Sequence, residues 1–189
     1  EMLAHVPILA HGEVRSVLII GGGDGGMLRE VARHPGVERI VQVEIDPSVV
    51  ELSRTHLPNH SAGAYDDPRL ELAYADGAAW VAEGDERFDV IIVDSTDPIG
   101  PGEVLFTRSF YGRCADRLTE RGVVVTQNGV AFMQLDEIRS TAVAFRELFA
   151  DWAFYGAAVP TYLGGLMAFG WGAKDPSLRR VDVETLRRR

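Results

Sequence analysis

Three carboxylates in this sequence stand where an α/β protein can put them to chemical use. Asp24 lies in a glycine-rich turn, and Asp94 and Asp97 lie three residues apart in Asp94-Ser95-Thr96-Asp97-Pro98-Ile99-Gly100-Pro101. The run before Asp94, Phe88 to Val93, is nearly all apolar, as the buried centre of a parallel sheet requires. In an open α/β sheet, ligands bind outside the C-terminal strand ends. The two acids therefore fall in the binding crevice, in a loop stiffened by two prolines. Asp24, Asp94 and Asp97 can converge on one cavity, and such a cavity suits a polycation. A free amine has a pKa of about 10 and arrives protonated. To act as a nucleophile it must lose that proton, and a carboxylate can accept it as the amine attacks. A second carboxylate can hold a distal ammonium and set the distance. Taken singly, Asp94 or Asp97 equally suits a cap on the loop or on the next helix.

A second constellation points to a nucleoside. Gly21, Gly23 and Gly26 fit G-x-G-x-x-G between a strand and a helix. Glycines there permit a tight turn and close approach of a ligand to the backbone. Glu44, eighteen residues beyond Gly26, ends the second strand and can accept both ribose hydroxyls. Two ligands compete for this arrangement: a dinucleotide, or S-adenosylmethionine and its relatives. A dinucleotide rests its pyrophosphate on the helix N-terminus, and the charge of Asp24 opposes that. An amine or sulfonium is attracted instead. Asp76-Gly77 follows the third strand, where an acid can bond the adenine amino group; it also suits an N-cap. Three acids at successive strand ends favour the sulfonium nucleoside.

The elements that must position these residues alternate. Strands are expected over Arg15–Ile20, Arg39–Ile45, Arg69–Ala75, Phe88–Val93, Gly122–Gln127, Trp152–Val159 and Leu166–Gly172. Helices are expected over Gly26–His34, Pro47–His56, a short stretch through Trp80, Thr107–Leu118 and Leu135–Phe149. This alternation specifies a doubly wound, mostly parallel seven-stranded α/β sheet. No helix separates the last two strands, so one of them should be antiparallel. Residues 1–175 form the Rossmann-like domain, and 176–189 a C-terminal extension ending in a truncated helix over Val183–Arg189. The first residue is not methionine and a helix reads as already under way by Met2, so both ends read as cut.

Composition narrows the partners. A chain of 189 residues with 46% hydrophobic and 25% charged residues is ordinary globular material. It buries roughly 70% of the surface of its unfolded chain and needs no disulfide or structural metal. Cys114 is the only cysteine, which excludes an internal disulfide and argues against a cysteine zinc site. No apolar run is long enough to span a bilayer, and the N-terminus lacks a secretion signal, so the expected location is cytoplasmic. The net charge of −9 repels nucleic acid and anionic membranes and accommodates a cationic small molecule. His5, His11, His34, His56 and His60 are scattered without ligand spacing, so no metal is expected. Cys114 reads as a small core residue. Trp80, Trp152 and Trp171 read as packing anchors, and Phe106, Phe110 and Tyr111 as packing a helix onto the sheet.

The order of Gly21-Gly22-Gly23-Asp24-Gly25, Val43-Glu44-Ile45-Asp46, Tyr65-Asp66-Asp67-Pro68-Arg69, Asp76-Gly77, Asp94 to Pro101, Gln127-Asn128-Gly129 and Pro160-Thr161-Tyr162 resembles the polyamine aminopropyltransferases, from about Glu1 to at least Lys174. Methyltransferases of the S-adenosylmethionine-dependent type share the fold and the Glu44 logic, but not the glycine-turn and Asp94 motifs together. The resemblance implies transfer of an aminopropyl group from decarboxylated S-adenosylmethionine, a co-substrate rather than a resident cofactor, to putrescine, giving spermidine and 5′-methylthioadenosine. It makes Asp94 the proton acceptor. Asp24, Asp97, Ser95, Thr96 and Tyr162 serve the amine; Gly21, Gly23, Glu44, Asp76, Gly77 and Pro101 serve the nucleoside. The segment after Asp94 resembles a flexible gate. The resemblance further implies a homo-oligomer. It also implies a small N-terminal β-domain, carrying a glutamine and a Tyr-His pair, upstream of Glu1, and more chain beyond Arg189. These residues alone should then show weak activity or none. The alternatives are a small-molecule methyltransferase and a non-catalytic nucleoside-binding module.

Overall fold

The computed structural model describes residues 1–161 and 164–189. Seven strands form one sheet: β1 (Ser16–Gly21), β2 (Arg39–Glu44), β3 (Leu70–Tyr74), β4 (Phe88–Asp94), β5 (Leu118–Val130), β6 (Asp151–Ala158) and β7 (Leu166–Ala173). The helices are α1 (Met2–His11), α2 (Gly26–Ala32), α3 (Pro47–His56), α4 (Pro58–Ser61), α5 (Gly77–Glu83), α6 (Arg108–Asp116), α7 (Leu135–Leu148) and α8 (Val183–Arg188). Strand order is β3-β2-β1-β4-β5-β7-β6. The strands β1 to β5 pair in parallel, while β7 runs antiparallel between β5 and β6. The expected inversion among the last two strands is therefore β7.

Side chains of a strand alternate between faces, and the core divides accordingly. Val17, Ile19, Val90 and Ile92 pack with α1 and α2 on one face. Leu18, Ile20, Ile91 and Val93 pack with Phe110, Tyr111 and Phe145 of α6 and α7 on the other. Helices on both faces explain why these strands read as unbroken apolar runs. Phe145 is fully buried, edge-on to Tyr111 with ring centroids 4.9 Å apart and to Phe149 at 5.0 Å. One polar network crosses this layer. Asn128 on β5 donates to Thr141 Oγ1 of α7 at 2.9 Å, and the Tyr111 hydroxyl lies 3.2 Å from the same oxygen.

Helix starts follow from side-chain caps. Asp46 accepts from Ser48 N ahead of α3, which carries Pro47 in its first turn. Asp76 caps α5, and Thr107 caps α6. Three expectations are corrected. The helix read as reaching Leu118 stops at Asp116, and the next strand starts at Leu118 rather than Gly122. Phe88 N–H bonds the Arg117 carbonyl, and Phe88 pairs with Leu118 ahead of a register shift; sheet pairing overrides local helix propensity there. Trp152 is 37% exposed on edge strand β6, so it is no packing anchor, whereas Trp171 is buried and Trp80 half-buried.

Residues 176–189 fold back onto the domain. Leu178 is buried in the α1–α2 layer, and Arg189 donates to the Leu9 and Ala10 carbonyls near the end of α1, where a cation is favoured. Removing the aromatic centre of the α6–α7 layer tests this packing: Phe145→Ala should lower the unfolding free energy by about 3–5 kcal/mol in denaturant titration.

Candidate active site

Two neighbouring strands create the site. From β1 the chain passes to β2 and β3 on one side, and from β4 to β5 on the other, so β1 and β4 flank the topological switch point. Gly21 pairs with Asp94 in register, and Gly22 N–H donates to the Asp94 carbonyl at 3.1 Å. Gly21 adopts φ +83°, and a Cβ there would collide with that carbonyl. A glycine is required on both counts.

The turn after β1 is held from three sides. The buried Gln42 amide donates to the carbonyls of Gly21 and Gly22 at 3.0 and 2.8 Å. The Tyr65 hydroxyl donates to the Gly23 carbonyl at 2.8 Å. Burial, with Asp24 next in effect, pushes the Tyr65 pKa up to about 12, which keeps it a neutral donor. Glu44, buried, accepts Gly23 N–H on Oε2 and Asp46 N–H on Oε1, each at 3.0 Å. Glu44 thus braces the turn, and each oxygen keeps a lone pair for a ligand. The Tyr65-to-Arg69 motif is a brace in the same way: Arg69 pairs with Asp67 and donates to the carbonyls of Ala32, His34 and Val37.

Above these strand ends lies a cavity of about 580 Å³. Its lining includes Gly21, Gly23, Asp24, Glu44, Asp76, Gly77, Asp94, Ser95, Thr96, Asp97 and Pro101. Every site residue expected from the sequence is therefore brought together, except Tyr162, which lies outside the described residues. Strand order lays them out along the sheet edge, from Asp76 after β3 and Glu44 on β2, through the β1 turn, to Asp94 on β4 and Gln127 on β5. Six carboxylates line the cavity, counting Asp46, and no Lys or Arg does among the described residues.

Backbone N–H groups, an imidazole and an amide hold these acids. Asp76 Oδ1 accepts from Ala78 N and Ala79 N at 2.8 and 3.0 Å, leaving Oδ2 free of the cap. Asp24 Oδ1 accepts Gly26 N–H at 2.8 Å, while Oδ2 meets His60 Nε2 at 3.1 Å. Asp97 takes the Gln134 amide at 2.9 Å. The Ser95 hydroxyl is buried with no hydrogen-bond partner among the described residues. Asp94 sits against the turn with its pKa pushed up to about 6. Burial is the main cause; Asp24 and Glu44 raise it further, against His60. A carboxylate so raised is a better proton acceptor than an ordinary one.

Sequence reasoning left several site residues unassigned. Gln127, Ile45 and Asp46 stood only as parts of motifs, and Val49 lines the cavity without having been singled out. His60, read as one of five scattered histidines, reaches Asp24 across a sequence separation that no local pattern measures. Ile45 and Asp46 could have been found, since they directly follow Glu44 at the end of β2. Among the described residues no group of three or more His, Cys, Asp or Glu is placed to hold a metal ion. Cys114 is buried, and burial pushes its thiol well above the usual range.

The sheet order, glycine turn and acid at the end of β2 define an α/β fold of the methyltransferase type. The family model for the spermine/spermidine synthase domain matches residues 1–182, and the chain belongs to that family. It is 65% identical over 189 residues to polyamine aminopropyltransferase 1 of Pseudomonas aeruginosa, and 62% identical to the polyamine aminopropyltransferase of Pseudomonas syringae pv. tomato. In both cases it covers 100% of this chain and 66% of the relative, just under two thirds of the relative's length. Among solved structures, a spermidine synthase in complex with the transition-state analogue AdoDATO matches with a TM-score of 0.93 at 40% identity, covering 99% of this chain and 64% of that one. Spermidine synthase from Thermotoga maritima matches with a TM-score of 0.88 at 37% identity, covering 99% and 62%.

The strain at Asp94 has a measurable sign. Its pKa is raised from 3.8 to about 6 in the folded state, so the ionised form costs stability, and stability falls as pH rises through about 6. Relative to its value in acid, Asp94→Asn should gain about 2–3 kcal/mol of stability near neutral pH, at ~1.4 kcal/mol per pKa unit. The gain should vanish as pH falls below about 4, in denaturant titrations across that range.

Proposed function

We propose that the protein carrying this chain transfers the aminopropyl group of decarboxylated S-adenosylmethionine to putrescine, yielding spermidine and 5′-methylthioadenosine. The observation that carries the reading is the cavity of six carboxylates without a Lys or Arg among the described residues, next to a glycine turn fit for a nucleoside. A sulfonium donor and a diamine acceptor are both cationic and meet matching charge throughout. The names borne by the relatives and the AdoDATO complex of a structural relative support the same assignment.

In this reaction the acceptor nitrogen loses its ammonium proton to Asp94 and attacks the aminopropyl methylene. The N–C bond forms as the C–S bond breaks, and the electron pair returns to sulfur as a neutral thioether. The carbon is already activated by the sulfonium, so the protein's part is alignment and proton removal. Asp24 and Asp97 hold the ammonium groups, with Ser95 and Thr96 beside them. Glu44 takes the ribose, Asp76 and Gly77 the adenine, and Pro101 lines the nucleoside end; Tyr162 belongs to the amine channel on family grounds alone. The acidic lining disfavours a donor that keeps its carboxylate, which selects against intact S-adenosylmethionine. The proposed chemistry calls for no metal and no resident cofactor. A cytoplasmic homo-oligomer without nucleic-acid or membrane partners completes the reading; no described helix is long and apolar enough to cross a membrane.

Product analysis with both donors tests it. With decarboxylated donor and putrescine, the full-length protein should form spermidine and 5′-methylthioadenosine, and Asp94→Asn should lower kcat/KM by roughly 10²–10⁴. Preference for intact S-adenosylmethionine would assign a methyltransferase instead. Nucleoside binding without turnover, unchanged in Asp94→Asn, would assign a binding module.

A further inference from the structure

Asp97 lies in an irregular segment, and its carboxylate takes its one side-chain contact among the described residues from Gln134, at the N-cap of α7. The orientation of that amide is not arbitrary. Gln134 Oε1 accepts the Val130 backbone N–H at 2.7 Å, which only the carbonyl end can do. The NH₂ end is thereby turned toward Asp97, to whose Oδ1 it donates at 2.9 Å. Its second N–H faces Glu137 Oε2 at 3.4 Å. Gly129, at φ +67°, makes room: a Cβ there would overlap the Gln134 amide oxygen. The end of β5 therefore fixes Gln134, and Gln134 fixes Asp97.

We infer that Gln134 is a positioning residue, which holds the Asp97 carboxylate toward the cavity and lets it meet the acceptor ammonium with its charge intact. A lysine or arginine in its place would neutralise the carboxylate; an amide orients it without doing so. Glu137 adds a second reason for the bridge. Burial, then Asp97, pushes the Glu137 pKa up to about 7, so the two carboxylates repel across the gap that the Gln134 NH₂ group fills. The assignment rests on the reading of Asp97 as an amine ligand given above.

The test uses Gln134→Met, which keeps side-chain length without donor or acceptor, and Gln134→Ala, both in the full-length protein. Amide hydrogen exchange without substrate reads the tie directly: residues 95–101 should exchange roughly five- to tenfold faster in both variants, with the strands unchanged. Steady-state kinetics read its purpose: KM for the diamine should rise roughly tenfold, with kcat and donor KM changed less than twofold. Unchanged exchange in the segment would overturn the tie. Equal movement of donor and diamine KM would overturn the positioning role and leave a purely structural one. If the wild type forms no spermidine, the functional reading fails by itself, and the exchange experiment still decides whether Gln134 holds the segment.

Discussion

The site depends on one pairing, that of β1 with β4 in parallel at the sheet's switch point. Gly21 sits opposite Asp94, and the Gly22 N–H bonds the Asp94 carbonyl. This contact puts the Asp94 carboxylate beside the glycine turn, at a distance that only a residue without a Cβ permits. Shifting β4 by one residue would send Asp94 to the opposite face of the sheet. The flanking layers keep that register fixed, since Val17 through Ile20 and Val90 through Val93 are all buried between helices.

The electrostatics follow from the same crowding. Asp94 is buried, and Asp24 and Glu44 approach it with no Lys or Arg in the cavity lining among the described residues; burial first, then these acids, raise its pKa. The acids are oriented by backbone N–H groups, an imidazole and a primary amide. The backbone N–H groups and the amide fix direction without cancelling charge, so the cavity keeps its negative character. The arrangement is destabilising when empty and relieved when filled, a common cost of functional sites. The basic residues of this acidic chain lie elsewhere. Arg69 braces the turn before β3, Arg179 meets Asp151 on β6, and Arg29 and Arg33 surround the buried Glu30 on α2.

Much of this could be read from the residues alone. The apolar runs of β1 and β4 and the alternation with helices dictated a doubly wound sheet, because buried parallel strands have no polar face to show. Asp24, Glu44, Asp76 and Asp94 were legible because each follows a recognisable strand, and ligands collect at strand ends. Pro47 and Asp46 marked the start of α3 through local chemistry. The exposed Trp152 and the early start of β5 were misread, because sheet neighbours decide both.

What the sequence by itself determined is which residue types end each strand, and hence the acidic character of the crevice and the class of ligand it suits. Only the tertiary structure decided who holds those acids. His60 meets Asp24, Gln134 meets Asp97 and Gln42 grips the glycine turn through contacts separated by 20 to 37 positions. Periodicity reports the face on which a residue lies; it carries no information about which distant side chain shares that face. That is settled by strand order and register, which exist only once the sheet has closed.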